Sequence, residues 1–353
     1  MRHRSNLDIL RAIAVCTVLV DHMVPTLHKY AGLNNATVLN FTVQIGHAGV
    51  LAFFVHTSLV LMYSLERMHQ SMEHVAWRFY VRRFFRIYPL AIFCILLVIV
   101  LHIPSNTWRD PTVITPGVVA ANLLLIQNIV VKKDVLGPLW SLPYEVQMYL
   151  VLPALFLLAW RKRGPLYLGG LIALFCILGT ALAIKTGHLN MAAYVPCFLA
   201  GVLCYSLRKR IPPRISSLLW PPFVLAAVCI YCLANERSEA TYWSGWIFSL
   251  ALGLAINAFH DSKLPRLNFA AEKVALYSYG MYLLHVPVLY FLFVRMHVQN
   301  LVLGPLAFFA MTVAASMITY HYLESPFIEL GRRLSTPGIS QLPPDPSVVS
   351  AAP

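Results

Sequence analysis

Ten stretches of apolar residues, each near the length needed to cross a bilayer, dominate the chain: 7–27, 42–63, 87–103, 138–160, 166–184, 191–207, 218–234, 242–260, 274–294 and 302–322. A helix rises about 1.5 Å per residue, so about 20 apolar residues match a hydrocarbon core of about 30 Å. Backbone groups cannot stay unpaired in that medium, and a helix satisfies them within one segment. The runs therefore predict an all-α fold, a polytopic membrane helical bundle of about ten transmembrane helices. With 59% hydrophobic and 12% charged residues, the chain excludes disorder and an ordinary soluble enzyme. A further apolar piece, 117–131, is short and runs into Lys132, Lys133 and Asp134, which reads as a re-entrant or interfacial segment.

Charge orients the bundle. The chain holds 27 Lys and Arg against 14 Asp and Glu, a net +13. With the N-terminus inside, nineteen of the 27 basic residues fall in cytoplasmic segments, among them the clusters around Arg82, Arg161 and Arg208. Counting 117–131 as a full crossing would carry the Arg161 and Arg208 clusters outside. The positive-inside rule thus favours ten spans with both termini cytoplasmic. The basic excess belongs to topology and to membrane lipids, and no basic run with interleaved aromatics points to nucleic acid. The first apolar stretch carries Asp8, Arg11 and His22 and is too long for a cleaved signal, so it is kept as a span. Residues 1–334 form one membrane domain, and the Pro- and Ser-rich tail 335–353 is expected to be cytoplasmic and disordered. Seven cysteines inside apolar stretches predict no disulfide framework; Cys229 and Cys232 lack ligand-type neighbours, and no metal is expected.

A titratable side chain within a span is either functional or a pair that orients helices. Arg11 and His22 are eleven residues apart, which returns to nearly the same helix face about 16 Å along the axis. Asp8 lies at i,i+3 to Arg11 and is expected to orient it. His22 alone reads as a satisfied core histidine or as a site residue. Glu145, about two turns into a helix entering from outside, lies at a depth comparable to His22. A buried carboxylate beside an imidazole fixes its tautomer and raises its basicity, as a general base for a hydroxyl requires; a structural ion pair is the other reading. Arg83 and Arg86, three apart at the entrance of the third span, face one way, either as a phosphate clamp or as a positive-inside anchor.

Taken together, Asn6 to Val15 with Arg11 and then His22, Phe79 to Pro89 with Arg83 and Arg86, Leu139 to Leu150, Tyr282-Leu283-Leu284-His285-Val286-Pro287 and Tyr322-Leu323-Glu324-Ser325-Pro326-Phe327 resemble the membrane acyltransferase-3 family, in its order and over residues 6–334. The resemblance implies an acyl-CoA-dependent O-acyltransferase of the bacterial inner (plasma) membrane. Such an enzyme moves an acyl group, commonly acetyl, from cytoplasmic acyl-CoA to a hydroxyl of an extracytoplasmic carbohydrate or lipid-linked sugar. Acetyl-CoA is then a co-substrate, and no permanently bound cofactor is implied. By position, His22 is the catalytic residue with Glu145 beside it, and Arg11, Arg83 and Arg86 bind the donor. Tyr149 and His285 are candidate substrate contacts.

The chain departs from the family at Val146, where a second acidic residue is common. It departs again at His56-Thr57-Ser58, a change in the pocket wall or in packing alone. No hydrolase-like domain is expected after Leu334, so a second transfer is expected to need a separate protein. The expected mechanism has CoA phosphates on Arg83 and Arg86, aided by Arg11. His22, oriented by Glu145, then deprotonates the acceptor hydroxyl or forms an acyl-histidine. Two rivals are a secondary transporter with a buried Arg/His/Glu site, although no paired halves are visible, and a scaffold whose buried charges only pack helices.

Overall fold

Helix follows helix through the computed structural model, which describes residues 5–71, 74–107, 114–186, 190–235 and 242–335. In chain order they are α1 (Ser5–Ala31), α2 (Ala36–Ser71), α3 (Val75–Val100), α4 (Pro116–Leu123), α5 (Gln127–Val130), α6 (Leu142–Trp160), α7 (Gly164–Thr186), α8 (Met191–Leu207), α9 (Trp220–Asn235), α10 (Tyr242–Ala258), α11 (Pro265–Leu289), α12 (Leu303–Thr319) and α13 (Ser325–Leu334). The described residues contain no β-strand, only an isolated bridge between Ile215 and Phe259. Each of the ten expected spans falls on one of these helices. Among the described residues, seven helical stretches are long and apolar enough to cross a membrane; Met191–Leu207 and Trp243–Ala258 are shorter, and α1 carries Asp8, Arg11 and Asp21. The expected tail falls outside the described residues beyond Ser335.

Burial sorts the helices into a centre and a rim. In the most apolar window of α2 and of α11, 78% of residues are buried, against 22% in that of α7. Helices α1, α2, α8 and α11 thus form the centre, while α7 turns most of its surface outward, as a lipid-facing helix does. Small residues set the closest approaches, as membrane packing favours. A Cβ on Gly49 would strike the Thr17 hydroxyl and the Ala14 carbonyl of α1, and one on Gly201 would strike Ser58 and the Val55 carbonyl of α2. The first turn of α1 is tied down from a distance: Asp261 accepts from the Asn6 N–H at 3.0 Å, and Trp220 Nε1 donates to the Asn6 carbonyl at 2.9 Å. A carboxylate there also complements the positive end of the helix dipole.

Residues 114–141 decide how deep α6 begins. Helix α4 opens with Thr115 accepting from the Val118 N–H and with Pro116 in its first turn, a strong start signal. Neither α4 nor α5 is long enough to cross, so the segment is no eleventh span. It folds back against its neighbours instead. Tyr88 of α3 donates to the Leu124 carbonyl at 3.3 Å, Asn122 donates to Lys133 O at 2.9 Å and accepts from Val135 N at 3.1 Å, and Gln127 donates to Leu139 O at 3.1 Å. A single 3₁₀ turn, Gly137–Ser141, then leads into α6 with Pro138, Leu139 and Ser141 already buried. In the loop after α5, burial pushes the Asp134 carboxyl up to about 6, against the Gln127 amide that donates to it at 3.3 Å.

Candidate active site

Helix α1 carries two sites on the stripe it turns toward α11. At Arg11, Nε donates to Ser278 Oγ of α11 at 2.6 Å. Eleven residues on, the His22 ring stands edge-on to His285 of the same helix, with centroids 4.7 Å apart and planes at 85°. The helical period read from the sequence therefore holds: one face of α1 links both places.

The Arg11 end is a buried polar pocket lined by Arg11, Arg83, Arg86, Glu145, Tyr149 and Tyr279, with Thr57 and apolar residues of α2 completing the wall. Helix α3 begins at Val75, so Arg83 and Arg86 lie about two to three turns into it, three apart, and both reach the pocket. Arg86 is held by a buried ion pair: its Nη1 is 2.8 Å from Glu324 Oε2, with side-chain exposures of 8% and 1%. Glu324 reaches inward from a π-helical stretch, Tyr320–Glu324, between α12 and α13. A widened turn of that kind redirects a side chain without ending the helix. Glu145 accepts a hydrogen bond from Tyr149, one turn on along α6. Three guanidiniums thus face two carboxylates, which leaves one net positive charge when both carboxylates are ionised.

The His22 end has different neighbours from those expected. Its Nδ1 lies 3.1 Å from the Val18 carbonyl and 3.1 Å from Asp21 Oδ2. Both neighbours are acceptors, so the proton is assigned to Nδ1 and Nε2 is left as the basic nitrogen. His285 is fully buried, bonds Met281 O through Nδ1 at 3.2 Å, and its Nε2 has no partner.

One expectation fails here. Glu145 does not join His22: the segment 114–141 sinks the start of α6 into the bundle, so a residue in its first turn lies at the level of Arg11 and Arg83. The carboxylate that meets the imidazole is Asp21, its chain neighbour. Asp8 acts on Arg11 as a nearby charge, while the Arg11 side-chain hydrogen bond goes to Ser278. Tyr149 and His285 each lie in one of the two sites, Tyr149 with the arginines and His285 with His22. Sequence reasoning missed Asp21, Glu324 and Tyr279. An acidic residue adjacent to a candidate histidine inside an apolar run was a usable signal for Asp21; nothing local marked Glu324 as facing Arg86.

A bundle of apolar helices enclosing an arginine-lined pocket and a tautomer-fixed histidine along one helix defines an integral membrane protein equipped for group transfer. The chain belongs to the acyltransferase-3 family, whose profile, described as an acyltransferase domain, matches residues 4–321. It is similar to nodulation protein 10 of Rhizobium leguminosarum bv. viciae, with 25% identity over 94% of this chain and 97% of that one. It is also similar to the peptidoglycan O-acetyltransferase OatA of Listeria monocytogenes serovar 1/2a, with 25% identity over 82% of this chain but only 50% of that longer protein. No solved structure matches the chain.

Proposed function

We propose that this membrane acyltransferase takes an acetyl group from acetyl-CoA held at the arginine pocket and transfers it to a hydroxyl of an extracytoplasmic carbohydrate or lipid-linked sugar at His22. One observation carries the reading: Arg11 and His22 share the α11-facing stripe of α1, which joins a cationic pocket to an imidazole over about 16 Å, a distance suited to a pantetheine arm. Arg83 and Arg11 attract the donor phosphates, and Arg86, steadied by Glu324, shapes the wall between them. The family supports acyl transfer, and the name of the Listeria relative supports a glycan acceptor.

In the reaction, His22 Nε2 removes the acceptor hydroxyl proton as the oxygen attacks the thioester carbonyl. The tetrahedral intermediate collapses by breaking the carbon–sulfur bond, and the imidazolium returns its proton to the departing thiolate. Asp21 and the Val18 carbonyl hold the Nδ1 proton and steady the transient cation, the orienting role foreseen for Glu145. An acyl-histidine route uses the same nitrogen as nucleophile.

Protein reconstituted in liposomes with labelled acetyl-CoA tests the reading. An acyltransferase of this kind consumes the donor, whereas a transporter or scaffold leaves it intact. His22→Ala is expected to abolish transfer while the protein stays folded, and turnover retained in that variant excludes the assignment.

A further inference from the structure

Five ring-bearing residues from four helices and the turn before α6 meet beside Asp21, outside both sites described above. His47 of α2 lies with its ring centroid 6.1 Å from Trp140, 6.2 Å from Tyr194 of α8 and 6.0 Å from Tyr231 of α9. Trp140 is 5.6 Å from Tyr194, and Tyr144 of α6 is 4.8 Å from Tyr194. Tyr194 and Tyr231 are buried and form a floor, while Trp140, Tyr144 and His47 are partly exposed. The cluster is aromatic rather than aliphatic.

The polar atoms here are incompletely matched. Assigning the Tyr231 hydroxyl as the donor to His47 Nδ1, 2.7 Å away, puts the imidazole proton on Nε2. That buried Nε2–H has no acceptor. An unmatched buried donor is destabilising, so a packing cluster alone gains nothing by keeping one. Asn128 and Gln147 stand near Tyr144 as a reciprocal amide pair, at 2.9 and 3.2 Å, with Gln147 one turn further along α6.

The cluster communicates with His22 by two short routes. A Cβ on Gly46, the residue before His47, would collide with the Asp21 carboxylate, so α2 touches the residue next to His22 at this point. On the other side, Ser141, the residue after Trp140, bonds the Tyr282 hydroxyl at 2.8 Å; the Tyr282 ring is 6.2 Å from His285, which abuts His22.

We infer that His47, Trp140, Tyr144, Tyr194 and Tyr231 form the acceptor subsite, a stacking platform for a pyranose ring with His47 Nε2–H donating to a sugar oxygen. The inference rests on the carbohydrate reading above and adds where the sugar sits. Sugar rings present flat C–H faces that pack on aromatic faces, and their hydroxyls need a few placed polar groups at the edge; the platform and the lone imidazole donor supply both. An acyl chain would use neither.

Binding of glucose and N-acetylglucosamine oligomers of two to six units to the protein in lipid nanodiscs, followed by saturation-transfer NMR, tests this without any donor. Wild type is expected to pass saturation from aromatic protons to the sugar C–H groups. Trp140→Ala and Tyr144→Leu are expected to weaken binding about fivefold each, and Trp140→Phe, which keeps a ring, to retain most of it. Thermal unfolding of each variant checks folding; where Trp140→Ala fails to fold, Trp140→Phe and Tyr144→Leu carry the comparison. Sugars that bind wild type and every cluster variant equally overturn the location and leave the carbohydrate reading standing. Wild type that binds none of these sugars overturns that reading and this inference with it.

Discussion

The Asp21–His22 pair concentrates the acid–base chemistry at neighbouring residues of one helix, with two acceptors on a single ring nitrogen. Asp21→Asn keeps the shape and removes the charge that steadies an imidazolium. The expected loss in kcat is about 100-fold with the donor KM unchanged, read from steady-state transfer kinetics; unchanged kcat would show that the Val18 carbonyl alone suffices. Arg86 and Glu324 form the other decisive pair. Both are almost fully buried, so Glu324→Ala strands the Arg86 guanidinium, without its ion-pair partner, beside two other guanidiniums. A destabilisation of about 3–5 kcal/mol is expected from thermal or denaturant unfolding in detergent, and replacing both partners by apolar residues of similar size is expected to be milder.

At the scale of elements, the folded-back segment before α6 is held by side-chain amides rather than by its own helical length. Its one carboxyl side chain is Asp134, raised by burial to about 6 from an ordinary 3.8. Between those values the folded state holds a proton that the unfolded chain has released. Stability from this group is therefore complete below about pH 4 and is lost as pH rises through about 6. Asp134→Asn is expected to remove that slope and to raise the unfolding temperature at pH 7, measured across a pH series on protein in detergent. An unaltered slope would show that another group titrates there. The same segment contains Trp140 and leads directly into the first turn of α6, where Glu145 lies, so its anchoring bears on both residues.

For the whole molecule, the buried polar groups gather around the central helices α1 and α11, with α3, α6 and the π-helical stretch after α12 each turning a charged side chain inward, and outward-facing helices such as α7 screen them from lipid. A charge inside a bilayer is tolerated where it faces the bundle interior. The distribution of basic residues predicts which way the bundle sits. Lys132→Cys and Lys209→Cys, each in a background lacking the lipid-facing Cys16 and Cys229, are expected to react with a membrane-impermeant maleimide from opposite faces of intact cells, Lys132→Cys from outside. Labelling of both from one face would reverse the ten-span topology.

Hydropathy and helical period are local properties, and what they govern was legible in the chain alone: a membrane helix bundle, the short segment 117–131 as no crossing, and Arg11 and His22 on one stripe of α1. The motif blocks likewise pointed to the family that the whole-chain comparison shows. Which carboxylate meets which cation was decided only in three dimensions. Glu145 depends on how far residues 114–141 sink before α6 starts, and Glu324 on a π-turn that swings it across to a helix 238 residues earlier. Depth and facing are sums over loops and irregular turns, where hydrogen bonds between distant side chains outweigh any periodic signal.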